Sequence, residues 1–135
     1  MPQELIFAPM GAMALITFVV LGFIPARRFR AAFAGRVTAD DFKFGESPAV
    51  PGDVSIPNRN YMNLLELPML FYVASLMYYV AGRLDQTALV VAWGYVGLRA
   101  VHSLIHLTYN NVIHRLLAFA MSNVVLAAFW VLFFV

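Results

Sequence analysis

The sequence predicts an all-α polytopic membrane protein, an antiparallel bundle of four transmembrane helices, and three observations carry that reading. Of the 135 residues, 62% are hydrophobic and only 12% are charged, about half the roughly 25% charged share of a soluble domain. The mean hydropathy is +0.78. Four apolar stretches, near Leu5–Ala26, Met62–Gly82, Thr87–Leu107 and Leu116–Val135, each supply the ~20 residues that cross a bilayer. Together they use most of the chain. A single membrane domain over 1–135 is therefore expected, with helices near 4–30, 58–82, 86–108 and 111–135 and a long loop over 31–57.

The first span is nearly featureless, with Thr17 the sole polar side chain between Phe7 and Ile24. It follows Met1-Pro2-Gln3-Glu4, and its basic cluster comes after the apolar run. That order is the reverse of a cleaved signal peptide, so a retained helix is expected. Pro9 and Pro25 are positions where it would kink or end. The stretch Pro25-Ala26-Arg27-Arg28-Phe29-Arg30 is a basic aromatic collar, read either as snorkelling anchors or as an anion-binding rim.

The loop over 31–57 carries Asp40, Asp41, Glu46, Pro48, Pro51, Gly52 and Pro57 and looks irregular. Loops of that length are commonly lids, binding segments or disorder. Phe42 and Phe44 within it would dip into the interface or cap a cavity.

Arg59, Asn63 and Glu66 open the second span at i, i+4 and i+7, so they share one helix face ahead of the apolar run from Leu67 to Ala74. Charges one or two turns inside a membrane need partners. The third span carries a second polar stripe, Tyr95, Arg99, His102, His106 and Tyr109, all within about 40° of one direction at 100° per residue. At 1.5 Å per residue, Glu66 lies ~10 Å beyond Arg59 and Arg99 ~13 Å from Thr108. Glu66 and Arg99 are therefore expected to pair at matching depth. The two histidines offer no evident third ligand, so no metal site is expected.

Arg115 opens the fourth span, with Ser122 on its face and Asn123 beside it. Short connections near Arg83-Leu84-Asp85 and Tyr109-Asn110-Asn111 make the last three spans antiparallel neighbours. Ala8/Ala12 and Ala118/Ser122 would permit close helix approach.

Several functions are excluded or disfavoured. With no cysteine there is no disulfide, thiol nucleophile or thiolate metal site. The net charge of +2 reflects topology and gives no case for nucleic acid. Six basic residues lie in or beside the first loop and Arg115 closes the third, against Arg83 alone on the other side. The first and third loops are then cytoplasmic and both termini lie opposite. No inverted repeat supports a proton-relay transporter.

Taken together, these residues resemble the MAPEG family, the membrane-associated proteins in eicosanoid and glutathione metabolism. The resemblance spans nearly the whole chain. It rests on four spans, Ala26-Arg27-Arg28 at the end of the first, and Arg59, Asn63, Glu66 and Pro68 in the second. Arg99/His102, Tyr109 and Arg115 complete it. Membership implies a homotrimer of four-helix bundles that binds glutathione as co-substrate on the cytoplasmic side, between subunits. A lipophilic second substrate would arrive through the bilayer. Arg59, Asn63 and Glu66 would hold the peptide, with Arg99, His102, Tyr109 and Arg28 in support, and Arg115 would be the catalytic residue that stabilises the thiolate. Leu67 after the glutamate, His102 and His106 on the third span, and the long first loop depart from the eukaryotic enzymes. The short Cys-free form resembles a bacterial member, which implies the bacterial inner membrane with periplasmic termini. The expected function is a glutathione-dependent transferase or peroxidase acting on lipophilic electrophiles or hydroperoxides. The alternative is a non-catalytic trimer binding an anionic lipid or small anion.

Overall fold

The computed structural model describes all 135 residues. It is all-helical, with four helical stretches long and apolar enough to cross a membrane. A 3₁₀ turn at Gln3–Ile6 leads into α1, Phe7–Phe33. At 27 residues and 1.5 Å per residue, α1 is about 40 Å long, longer than the ~30 Å hydrocarbon layer. It runs through Pro25 without ending and carries the collar on its last two turns. Its end is a Schellman cap. Gly35 has φ +74°, with Gly35 N–H donating to the Ala32 carbonyl at 3.1 Å and Arg36 N–H to that of Ala31 at 2.9 Å.

The segment after α1 is folded. A capping box formed by Thr38 and Asp41 starts a second 3₁₀ turn, Ala39–Phe42. Val37 and Val50 bury against Ala31 and Val54, with Phe42 packed alongside. Arg28 pairs with Glu46 at 3.2 Å and lies 4.4 Å over the Phe42 ring. Arg36 grips both carboxylate oxygens of Asp53 at 2.7 and 3.1 Å, a hydrogen bond that raises the Arg36 pKa further, Coulomb attraction adding to it.

Helix α2, Gly52–Leu65, starts inside the stretch expected to be loop over 31–57. The expectation placed Pro57 at the end of that irregular connection. In the structure, Pro57 sits in the second turn and leaves the Asp53 carbonyl without its i+4 donor. Arg27 Nη1 supplies that donor from α1 at 3.0 Å. Its Nη2 meets the carbonyl of Leu107 at 2.9 Å.

The second span is not one continuous helix. It breaks at Glu66, whose ψ is −92°, and resumes as α3, Pro68–Ala81, with Pro68 at its first position, where the missing N–H costs nothing. Gly82 at φ +63° closes α3. Helix α4, Gln86–Leu107, is capped by Asp85, whose side chain accepts from Ala88 N–H. Helix α5, Val112–Phe134, is capped by Asn111, which accepts from Ile113 and His114 N–H.

The most extensive helix pairing is α4 with α5, followed by α1 with α2. One apolar core runs through the molecule from Ile6, Met13 and Val20 on α1 to Phe71, Ala74 and Tyr78 on α3. Ala88, Ala92 and Tyr95 on α4 and Leu126 and Phe129 on α5 complete it. Ala118 and Ser122 are buried, whereas Ala8 is exposed. Ala88 and Ala92 are further small residues buried on α4. Leu15, Phe18, Phe23 and Val124 are exposed, forming an apolar surface suited to lipid.

Candidate functional site

Helices α2, α4 and α5 enclose a cavity of about 360 Å³ near the turn joining α4 to α5. Arg59 and Asn63 enter from α2, one turn apart, and His102 and His106 from α4 at the same spacing. Arg115 and Phe119 enter from α5, and Asn110 from the turn. Ile56, Val112 and Leu116 complete the wall, and no lining residue is acidic.

The turn fixes Arg115. Asn110 adopts φ +48°, a left-handed conformation that Asn tolerates better than most residues. Its N–H donates to the Ile105 carbonyl at 2.8 Å, and its Oδ1 accepts from Arg115 Nη1 at 2.7 Å. The remaining guanidinium edge of Arg115 is left for the cavity.

Arg99 lies behind the wall and is fully buried. Its Nη2 donates to the Asn63 carbonyl at 3.2 Å, and its guanidinium carbon lies 5.5 Å from the Phe119 ring centre. Its Nε and Nη1 find no partner within the chain. The expected Glu66–Arg99 pair is not formed; the chain's ion pairs are Arg28–Glu46 and Arg36–Asp53. The helix break explains this. The helical register that would align Glu66 with Arg59 and Asn63 stops at Glu66, which is exposed on the outer surface. The same break frees the carbonyl that Arg99 takes. A buried guanidinium at a helix C-terminus meets the partial negative charge of that end.

The structure thus brings together four of the expected site residues, Arg59, Asn63, His102 and Arg115, with Arg99 directly behind them. Glu66, Tyr109 and Arg28 do not line this cavity. Tyr109 lies past the end of α4, where helical spacing no longer applies, and its Oη sits 3.0 Å from His114 Nδ1. Arg28 is drawn to Glu46 and Phe42 and borders a separate, mostly apolar cavity of about 430 Å³. Sequence reasoning missed Asn110 and Phe119. It also missed Asn60 and Ser103, fully or nearly buried and joined by a 3.2 Å hydrogen bond. The one signal for Asn110 was its place before a helix-capping Asn. No three His, Cys, Asp or Glu side chains group to hold a metal ion.

Four membrane-crossing stretches and a cavity carrying two arginines and no acid define the class, a small integral membrane protein with a cationic internal site. The chain belongs to the MAPEG family, whose family model matches residues 6–135, nearly its whole length. That family includes glutathione transferases and peroxidases. No curated protein and no solved structure matches the chain.

Proposed function

We propose that this protein is a glutathione-dependent transferase or peroxidase acting on a lipophilic electrophile or hydroperoxide. The observation that carries this reading is the placement of Arg59 and Arg115 in one cavity with no acidic lining residue. Glutathione has two carboxylates and a thiol. Two guanidiniums with Asn63 and Asn110 supply a matching set of charge-assisted and neutral hydrogen-bond donors. Arg115, held from one side by Asn110, would face the sulfur. A guanidinium beside a thiol favours the thiolate and so raises the nucleophile's concentration at neutral pH. An arginine is no base at that pH, so its part is electrostatic. Leu116, Phe119 and Ile56 supply an apolar side for the lipophilic partner.

The active form would be a homotrimer of antiparallel four-span bundles in a bacterial inner membrane, with the first and third loops cytoplasmic. Support comes from Glu66, an exposed carboxylate on a membrane-crossing stretch. Such a group is costly against lipid and is better covered by a neighbouring copy.

The anionic-lipid alternative needs a free arginine collar. Arg27 is instead occupied by two backbone carbonyls and Arg28 by Glu46, so two of the collar's three arginines are structural and Arg30 alone stays exposed.

The test is calorimetric titration of purified protein with glutathione, alongside conjugation and hydroperoxide-reduction assays. Saturable binding and a large loss of turnover in Arg115→Ala are expected. No binding at millimolar glutathione, with Arg115→Ala as active as the parent, would overturn the proposal.

A further inference from the structure

His102 and His106 are only 2% and 4% exposed, yet both contribute to the cavity wall. Each Nδ1 is sealed from water and finds no hydrogen-bond partner in the chain. The two rings meet edge to face with centroids 5.8 Å apart, and His102 also rests against Phe119 at 5.7 Å. The ring edge that reaches the cavity is therefore the one bearing Nε2.

A neutral imidazole has one proton, and its position follows from what the other nitrogen meets. A proton on Nδ1 would be a buried donor without an acceptor, a rarer arrangement in folded proteins than an under-used acceptor. Placed on Nε2, the same proton points into the cavity, where a ligand accepts it. An imidazolium would restore the orphan Nδ1–H. It would also add charge next to Arg59, Arg99 and Arg115, with no carboxylate in the wall as balance. Asn110 has already committed its oxygen to Arg115. Asn63 is then the one lining side chain whose amide oxygen is not already engaged within the chain.

We infer that His102 and His106 are neutral, carry their protons on Nε2, and complete a wall of donors that selects a ligand entering as an anion. Neither ring offers the cavity a lone pair. A thiol would bind as its thiolate, having lost its proton to water, and neither histidine would act as its base. The inference rests on the glutathione reading for the identity of the anion, but the proton positions do not.

Long-range proton–nitrogen correlation spectra of ¹⁵N-histidine-labelled protein in nanodiscs test the tautomers directly, with His102→Gln and His106→Gln assigning the signals. Protonated Nε2 and bare Nδ1 are expected at both rings. A protonated Nδ1 at either ring, as the other tautomer or as imidazolium, would overturn the inference. A second arm measures glutathione sulfonate, a permanently anionic analogue. His106→Leu should weaken its binding by at least about tenfold, the lower bound for one hydrogen bond to an anion. His106→Gln, whose amide N–H replaces Nε2–H, should recover most of that loss. Equal affinity in parent and His106→Leu would count against the donor role. If the parent binds neither glutathione nor its sulfonate, the glutathione reading fails, and the spectra still decide where the protons are.

Discussion

Arg99 reaches the backbone carbonyl of Asn63, at 3.2 Å, and not the carboxylate of Glu66 seven residues past Arg59. Helix α2 ends where Pro68 supplies no N–H and Glu66 leaves helical geometry. The last carbonyls of such a helix are orphans, and a buried guanidinium is one way to satisfy them. The arginine thereby also anchors the backbone of Asn63, whose side chain faces the cavity.

This arrangement predicts independence of the two charges. In a double-mutant cycle of Glu66→Gln and Arg99→Met, measured by unfolding in detergent, the effects should add within about 0.5 kcal/mol. Arg99→Met alone should cost less than the roughly 3–5 kcal/mol of breaking a buried ion pair, because its Nε and Nη1 are unpaired already. A coupling above about 1 kcal/mol would mean the two side chains meet after all.

Why the sequence misled at Glu66 and succeeded at its neighbours is a matter of helical register. Arg59 with Asn63 and His102 with His106 each sit inside an unbroken helix, where four-residue spacing puts side chains on one face. Their convergence was therefore legible, as was Arg115 at the next helix start. Glu66 and Tyr109 lie at or past helix ends, where the same extrapolation has no basis. Asn60 and Ser103 were hidden for a different reason. Each is polar but uncharged and lies on its own helix face, so no stripe announced them. The spans were readable from hydropathy alone, whereas the start of α2 at Gly52 depended on a tertiary donor that no local pattern encodes.

That donor gives a second prediction. Arg27 occupies the Asp53 carbonyl that Pro57 leaves open. Arg27→Ala should destabilise by about 1.5–3 kcal/mol, the range for hydrogen bonds from a charged group. In a Pro57→Ala background the new N–H can take the Asp53 carbonyl, so the same substitution should cost measurably less. Equal costs in both backgrounds, read from thermal or denaturant unfolding, would show that Arg27 acts elsewhere, at Leu107 alone.

The end of α1 supplies a third. Gly35 stands at φ +74° with open space around its missing Cβ, so Gly35→Ala isolates the backbone cost without a clash. The left-handed conformation costs an L-residue roughly 1–2 kcal/mol, and the loss in stability should match it. Gly35→Asn should cost less, since Asn tolerates that conformation. An unaltered midpoint in Gly35→Ala would mean that the cap is not held in the folded protein.

Asn110 joins backbone geometry to the site, and its two roles separate by substitution. Gly at this position keeps the left-handed turn and removes the oxygen that holds Arg115 at 2.7 Å. Asn110→Gly should therefore cost at most that one hydrogen bond, about 1.5–3 kcal/mol, and no strain in the turn. It should also free Arg115 to wander, with turnover falling roughly tenfold for each 1.4 kcal/mol of positioning lost. Asn110→Ala loses the same oxygen and also strains the turn, adding about 1–3 kcal/mol of destabilisation. The informative comparison is between stability and activity in the two variants. If Gly and Ala fall equally in activity but Ala falls further in stability, the oxygen alone positions the guanidinium. If Asn110→Gly keeps full activity, Arg115 needs no such restraint, and its contribution rests on charge wherever the side chain lies.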